Sequence, residues 1–390
     1  MSCSEFLIIH PLLGADDTWS GYLAESTSGK TAPELLNLLY TTAKLNEFDK
    51  RHPWLIPALP VQHERNDRTI VIFPTQPATD EVEPLRQYEA ELRKASTPLG
   101  LRAAPGSKLP GTGTWNYLLI SASHARSLPN FALHGMASRT LVVAVDVHSH
   151  TDRQWLLDNA STLSTAEFML TRGTPGAKAD TTRIKLLELL TLITSDAETA
   201  ALEEIFRQES KLAYGLLRLV NSAAMAPRSP ITSFAQAINL LGRRQLQRWL
   251  QLLVYADPNN GHQANPLLQK AAVRGRLLEL LAPHLYPPPE VDNLEDAAFM
   301  VGTFSLLTVL LNMSMPEILQ QLPLADVVLH ALAEHRGKLG ELLHAIDDAE
   351  ARDLDGAGQR LSALGLSGEI YLEAQLEALA WAAKIRSSTQ

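Results

Sequence analysis

The residues best suited to chemistry lie in one short run, Asp146-Val-His148-Ser-His150-Thr-Asp152. If this strand stays extended, alternate side chains share a face, so that two carboxylates and two imidazoles point together. His10, at the predicted end of the first strand, could join them. Imidazole and carboxylate groups suit zinc, which makes Asp146, His148 and His150 a candidate metal site and a zinc-dependent hydrolase one hypothesis. A polar strand end that runs into a helix explains the same residues without a ligand. We favour that interpretation and predict no metal.

A second group of residues is basic. Arg243, Arg244 and Arg248 follow Gly242 in a predicted helical region. Three guanidinium groups so spaced could bind an acidic protein partner or a phosphate, and the alternative is a solvated helix face. The net charge of −9, from 34 Lys and Arg against 43 Asp and Glu, argues against DNA as the partner.

Other catalytic patterns are missing from the sequence. It contains no Gly-x-Ser-x-Gly elbow, no phosphate-binding loop of the Walker type, no Gly-x-Gly-x-x-Gly fingerprint and no Cys-x-x-Cys pair. Cys3 is the single cysteine, so no intrachain disulfide can form. We therefore assign no catalytic residue and no cofactor.

The predicted secondary structure that would position these residues differs between the two halves of the chain. Up to about residue 172, short apolar runs alternate with helical patterns, which indicates α/β architecture with a mostly parallel sheet. The predicted strands are Phe6–Ile9, Ile70–Phe73, Leu99–Leu101, Tyr117–Ile120, Leu141–Val147 and Glu167–Leu170. The predicted helices are Pro33–Phe48, Glu81–Ser96 and Asp152–Ala160. This pattern leaves open whether the sheet is open or an incomplete barrel.

The second half is predicted to be all-α. Thr171–Lys178 is a Gly/Pro break that divides the chain into domains 1–175 and 176–390, and a length of 390 residues suits such a division. The uncharged stretch Ala297–Met315 is interpreted as a buried core helix rather than a membrane span. Because the N-terminus lacks the basic region of a secretory signal, a cytoplasmic protein is expected.

Three segments of the second half resemble the central signature of the HDOD domain. Leu216–Met225 is a leucine-rich helix with Val-Asn-Ser near its end, Ser229–Ser233 holds a Ser-Pro-Ile turn, and Ala237–Gly242 ends in Leu-Gly. HDOD domains are similar in fold to HD-type metal phosphohydrolases. At the positions where those enzymes carry their His-Asp pair this chain has Ser305 and Leu306, and Gln269 stands where another His would fall. An apolar helix offers few ligands to a divalent cation, so HD-type hydrolysis is not expected.

The first half resembles the EAL cyclic-di-GMP phosphodiesterase, a TIM-like barrel. Such enzymes place carboxylates at the carboxyl ends of the barrel strands. The positions that match are replaced here: Gly21-Tyr22-Leu23 for Gly-Tyr-Glu, Ala103-Ala104 for paired aspartates, Leu119-Ile120-Ser121 for Lys-Ile-Asp, and Ala144-Val145 with Val147-His148-Ser149 for the strand that carries glutamates. The resemblance therefore implies a degenerate, reduced or incomplete EAL barrel, and the chain is predicted not to be an enzyme.

Three hypotheses for function follow. The favoured one is a non-catalytic cytoplasmic signalling adaptor of bacteria that acts through protein–protein interaction in a cyclic-di-GMP-linked pathway. The second is a receptor that binds cyclic-di-GMP without hydrolysis, for which Arg102, Arg126 and Trp115 are the candidate phosphate and base contacts. The third is the zinc-dependent hydrolase at Asp146, His148 and His150.

Overall fold

The computed structural model describes most of the barrel and the C-terminal helices. The described residues are 5–27, 32–59, 68–159, 163–171, 188, 190–192, 194–195, 215–217, 220–221, 230–255 and 265–385. The chain forms two compact units. The barrel unit comprises residues 1–171, 348–359 and 367–372, and the helical unit comprises residues 172–347, 360–366 and 373–390. Apart from Thr171, the predicted linker lies outside the described residues.

Eight strands of the barrel unit close into a barrel. They are β1 (Leu7–Leu13), β2 (Trp19–Ser26), β3 (Trp54–Pro57), β4 (Thr69–Pro74), β5 (Leu99–Arg102), β6 (Tyr117–Ser121), β7 (Leu141–Val145) and β8 (Leu163–Ser164). β1 is antiparallel to β2 and β8, and every other neighbouring pair is parallel. Apolar side chains from alternate strand positions, including Leu12, Leu23 and Leu119, fill the barrel interior. The sheet is therefore a closed barrel, which the sequence left undecided.

Helices connect the strands as the alternating pattern predicts. They are α1 (Pro33–Thr41), α2 (Val82–Lys94), α3 (Ala122–Ser127), α4 (Asn130–Ala137) and α5 (His150–Asp158). One predicted strand is wrong, because Glu167–Leu170 forms a 3-10 helix. The predicted strand Leu141–Val147 ends at Val145, since Asp146 has a left-handed backbone with φ 57°.

The described part of the helical unit is built from helices, as the sequence predicts. With the shared C-terminal helices they are α6 (Phe234–Leu253), α7 (Pro266–Leu281), α8 (Leu294–Phe304), α9 (Leu307–Leu311), α10 (Met315–Leu319), α11 (Asp326–Glu334), α12 (Gly337–Glu350), α13 (Leu354–Ala363) and α14 (Gly368–Lys384). Gly242, with φ 72°, interrupts α6. Trp249 and Phe299 pack against Trp381 in the core of this unit.

Asn221 explains the Val-Asn-Ser signature in physical terms. Its side-chain amide donates to the carbonyl of Ile231 at 2.7 Å, and its side-chain oxygen accepts from the Ile231 N–H at 2.7 Å. The same amide donates to the carbonyl of Leu217. Asn221 thus joins the end of its own helix to the Pro-Ile turn ten residues later.

One helical stretch among the described residues, Leu294–Leu311, is long and apolar enough to cross a membrane by length and composition. It corresponds to the uncharged segment predicted as a core helix. Of this window 56% is buried inside the fold, and Phe299 and Phe304 are almost fully buried. Burial of this kind supports the core-helix interpretation.

Two C-terminal segments, 348–359 and 367–372, pack within the barrel unit although sequence order places them in the second half. Each makes a close approach at a glycine. A Cβ on Gly358 would lie 2.9 Å from Cβ of Thr27, at the end of β2, and a Cβ on Gly368 would lie 2.2 Å from the carbonyl oxygen of Glu5. Tyr371 also packs edge-on against Phe6. The barrel unit is therefore completed by residues far along the chain.

Candidate functional site at the barrel mouth

The carboxyl ends of the parallel strands define the barrel mouth, the end where barrel active sites are assembled. Charged side chains gather there. Glu25 is the penultimate residue of β2, Arg102 ends β5, Asp146 follows β7 and Glu167 follows β8. Because side chains alternate along a strand, Glu25 faces the interior like Leu23 two residues before it.

Glu25 is the most buried carboxylate of the barrel mouth, with a side chain only 4% exposed. Its Oε1 lies 2.5 Å from Nη2 of Arg102, and its Oε2 lies 3.5 Å from Nε2 of His10. Burial alone raises the pKa of Glu25, but the positive charges of Arg102, Arg352 and His10 outweigh it and lower the pKa from 4.5 to about 2. Glu25 is therefore ionised at neutral pH despite its burial.

Arg352, from the turn after α12, reaches into the barrel mouth and binds Glu25 with both terminal nitrogens. Nη2 donates to Oε1 at 3.0 Å, and Nη1 lies 2.8 Å from Oε2 as an ion-pair contact without hydrogen-bond geometry, which together make a two-point pairing of guanidinium with carboxylate. Nε of Arg352 lies 2.9 Å from Oδ1 of Asp146 and 3.6 Å from Oε1 of Glu167. Three carboxylates thus converge on one guanidinium whose side chain is 8% exposed.

Glu167, which follows β8, is the third carboxylate near Arg352. Its Oε2 accepts hydrogen bonds from Oγ1 of Thr165 at 2.6 Å and from the Val147 N–H at 3.1 Å. Burial raises the pKa of Glu167, and these hydrogen bonds with the charge of Arg352 only partly oppose that effect. The barrel mouth therefore combines Glu25, whose pKa neighbouring positive charges keep low, with Glu167, whose pKa burial raises.

The candidate zinc site is not assembled. Asp146 binds Arg352, Val147 turns inward to full burial, and His148 and His150 are exposed. The left-handed backbone at Asp146 breaks the strict alternation on which the prediction depended, and Ser149 caps α5 by accepting from the Asp152 N–H. His10 lies in the middle of β1 rather than at its end. Among the described residues no three His, Cys, Asp or Glu side chains are grouped so as to hold a metal ion.

The candidate nucleotide contacts are divided between the two ends of the barrel. Arg102 lies at the barrel mouth on Glu25, and Arg126 lies on α3 with Nε 2.9 Å from Oδ1 of Asp152. Trp115 precedes β6 and therefore lies at the opposite end, beneath the guanidinium of Arg93 at 4.6 Å. The structure does not bring the tryptophan together with the two arginines.

A buried arginine also stands in the helical unit near the positions compared with HD-type ligands. Nη1 of Arg274 donates to Oγ of Ser305 at 2.8 Å, and Nη2 lies 2.7 Å from Oδ1 of Asp347. Nε2 of His335 lies 3.1 Å from the other oxygen of Asp347. Burial raises the pKa of Asp347, but Arg274 and His335 lower it overall.

The structure describes the side-chain contacts of two of the three arginines proposed for partner binding. Arg244 pairs with Asp296 at 2.5 Å and with Glu295 at 3.1 Å, and Arg248 pairs with Glu279 at 2.5 Å and with Asp296 at 2.7 Å. The side chain of Arg243 lies outside the described residues. Arg244 and Arg248 thus have partners within the helical unit, and a role of the three arginines in partner binding stays a prediction.

Residues 182–272 match the model of the HDOD domain. The chain contains an HDOD domain, and the closed barrel precedes it. These findings confirm the expected order of a strand-and-helix barrel domain followed by an HDOD domain.

Two curated relatives are similar to this chain. A protein of Vibrio cholerae named "Cyclic di-GMP phosphodiesterase CdgJ" is 32% identical over 190 residues, which cover 49% of this chain and 43% of the relative. "Uncharacterized protein YuxH" of Bacillus subtilis is 33% identical over 183 residues, which cover 46% of this chain and 42% of the relative. The chain spans less than half the length of each. A solved standalone EAL protein of Vibrio cholerae in its c-di-GMP-bound form is 11% identical over 43% of this chain and 91% of its own, with a TM-score of 0.32.

The prediction that the chain is not an enzyme is corrected by the first of these relatives, which is named a phosphodiesterase. That prediction compared strand positions one by one and found Leu23 and Ser121 in place of acidic residues. It overlooked Glu25 and Glu167, which the barrel brings to the same mouth from other positions. Replacement at the compared positions therefore does not establish loss of activity.

Proposed function

We propose that this protein acts in cyclic-di-GMP-linked signalling and binds a protein partner through its HDOD-containing helical half. The observation that carries the proposal is the presence of an HDOD domain at residues 182–272 on the same chain as the barrel. The name of the Vibrio cholerae relative supports the link to cyclic-di-GMP. Location in the bacterial cytoplasm is part of this proposal.

Exposed apolar side chains provide the test of partner binding. Leu240 is 58% exposed and Tyr286 is 85% exposed in the helical unit, while Phe131 is 79% exposed in the barrel unit. A partner found by cross-linking to the full chain would be purified and titrated with the wild-type protein and with Leu240→Asp, Tyr286→Ser and Phe131→Ser variants. We expect a loss of affinity of at least tenfold for a helical-unit variant and none for Phe131→Ser. Equal affinities throughout, or a loss only with Phe131→Ser, would contradict the proposal.

A second candidate function is binding of cyclic-di-GMP at the barrel mouth, which Arg102 and Arg126 favour because guanidinium groups suit phosphate oxygens. Calorimetric titration of the full chain with cyclic-di-GMP, with and without Mg²⁺ or Mn²⁺, tests it directly. Arg126→Gln is the informative variant, because its side chain is 41% exposed and its loss leaves Glu25 paired. Chromatography of the same mixtures would reveal any turnover.

A further inference from the structure

We infer that the 348–359 segment is an intramolecular latch, in which Arg352 serves as the counter-ion that closes the barrel mouth. Release of the segment exposes Glu25 and Glu167 to solvent and leaves Asp146, already 42% exposed, without its arginine. The segment belongs to the barrel unit in space but to the C-terminal region in sequence. This inference concerns access to the barrel mouth and does not depend on which partner the helical unit binds.

The first argument is the way the 348–359 segment is held. Its buried residues are Ala349, Ala357 and Gly358, all small. It is also held by the ion pairs of Arg352 with Glu25 and Asp146. A segment with few buried apolar contacts is the kind that opens locally while the rest of a domain stays folded.

The second argument is the contrast with the other C-terminal segment of the barrel unit. In 367–372, Tyr371 and Leu372 are almost fully buried, and the ring of Tyr371 packs edge-on against Phe6 at 5.9 Å. That segment buries a tyrosine and a leucine, whereas the side chains that 348–359 fully buries are those of two alanines. The difference indicates that 367–372 stays in place when 348–359 leaves.

The third argument is the backbone at the point of contact. Arg352 has φ 65°, in the left-handed region that glycine prefers at the end of a helix, and its N–H donates to the carbonyl of Ala349. Asp146, its partner, has φ 57°. Glycine would be less strained at this position. The presence of an arginine there points to a role for its side chain rather than for the turn.

The same geometry supplies a clean test. Arg352→Gly removes the guanidinium and suits the left-handed backbone, while Arg352→Lys keeps the charge but loses the two-point pairing. Gly358→Ala leaves every charge in place and adds a methyl group 2.9 Å from Cβ of Thr27, which pushes the segment away from β2. Arg336→Gly is the matched control, because the Arg336 side chain is 66% exposed and pairs with Glu334 in the helical unit.

The measurement is carbodiimide labelling of carboxylates in the full chain, read by mass spectrometry, with amide hydrogen exchange of β6 as the internal standard for global unfolding. We expect Glu25 to be labelled at least tenfold faster in Arg352→Gly and in Gly358→Ala than in the wild type, with an intermediate rate in Arg352→Lys. The rate in Arg336→Gly should equal that of the wild type, and the β6 amides should remain protected during labelling. Unchanged labelling of Glu25 in Arg352→Gly and Gly358→Ala, or labelling that appears only as β6 loses protection, would overturn the latch.

Discussion

Each unit contains a buried arginine, and the two arginines are compensated by different sets of polar groups. Arg352 in the barrel mouth pairs with three carboxylates that come from three separate strand ends. The contacts described for Arg274 in the helical unit include the carboxylate of Asp347 and the hydroxyl of Ser305. A charge removed from water is tolerated only when it is paired. The comparison predicts that stability depends more on the described ion pairs of Arg352 than on those described for Arg274.

The largest expected effect on the free energy of unfolding is that of a substitution at Glu25. Glu25→Gln keeps the shape of the side chain but leaves the buried guanidinium of Arg352 without its two-point partner. Removal of one member of a buried ion pair costs about 3–5 kcal/mol. We expect the free energy of unfolding, measured in urea at pH 7, to fall by that amount. A loss below about 1 kcal/mol would mean that water replaces the carboxylate.

Protonation of Glu25 at low pH should reduce the free energy of unfolding by a somewhat smaller amount than Glu25→Gln does. Because folding lowers the pKa of Glu25 from 4.5 to about 2, its ionised form stabilises the fold by about 3 kcal/mol. This contribution is complete above pH 4.5 and is lost as the pH falls toward 2. Glu167, whose pKa folding raises, acts in the opposite direction. Urea unfolding between pH 6 and pH 2 should show a shallower loss of stability in Glu25→Gln than in the wild type, and parallel curves would contradict this assignment.

The arginine of the helical unit should matter less. Arg274→Met removes the donor to Asp347 and Ser305, but Asp347 keeps the imidazole of His335 at 3.1 Å. Loss of hydrogen bonds to a charged group costs about 2 kcal/mol. We expect a reduction of that size in the free energy of unfolding of the helical unit. An effect equal to or above that of Glu25→Gln would invalidate the comparison.

The smallest effect is expected at the surface. Arg244 pairs with Asp296 and Glu295, but its side chain is 51% exposed. Exposed ion pairs contribute about 0–1 kcal/mol, so Arg244→Gln should lower the melting temperature hardly at all. The fall should be smaller still in high salt, where screening already weakens the pair. A large fall would indicate that Arg244 has a role beyond the contacts described.

The fold was predictable from sequence where the signal was local. β7 follows from the apolar run Leu141–Val145, and the HDOD domain follows from the signature around Asn221. Glu167–Leu170 was misjudged as a strand because a short apolar run does not distinguish a strand from a 3-10 turn. β8, two residues long, carries too little pattern to detect.

The barrel mouth was predictable only in part. Asp146 stands at a recognisable strand end, but the sequence assigned it to a set with His148 and His150. Its partner in the structure is Arg352, which also pairs with Glu25 at a separation of 327 residues, and no periodicity connects the three. Glu25 could have been suspected, because an acidic residue two positions after Leu23 must face the barrel interior. Arg352 gave no such signal.

Gly358 and Arg352 have a practical consequence for any attempt to divide this protein. A protease cut or a gene break near residue 175 would separate the strands from the residues that cover the end of β2 and neutralise its buried glutamate. The released N-terminal piece would keep Glu25 paired with Arg102 and His10, but Glu25, Asp146 and Glu167 would lose the guanidinium that they share. The order of segments along the gene is therefore a poor guide to where this protein can be separated into independently folding parts.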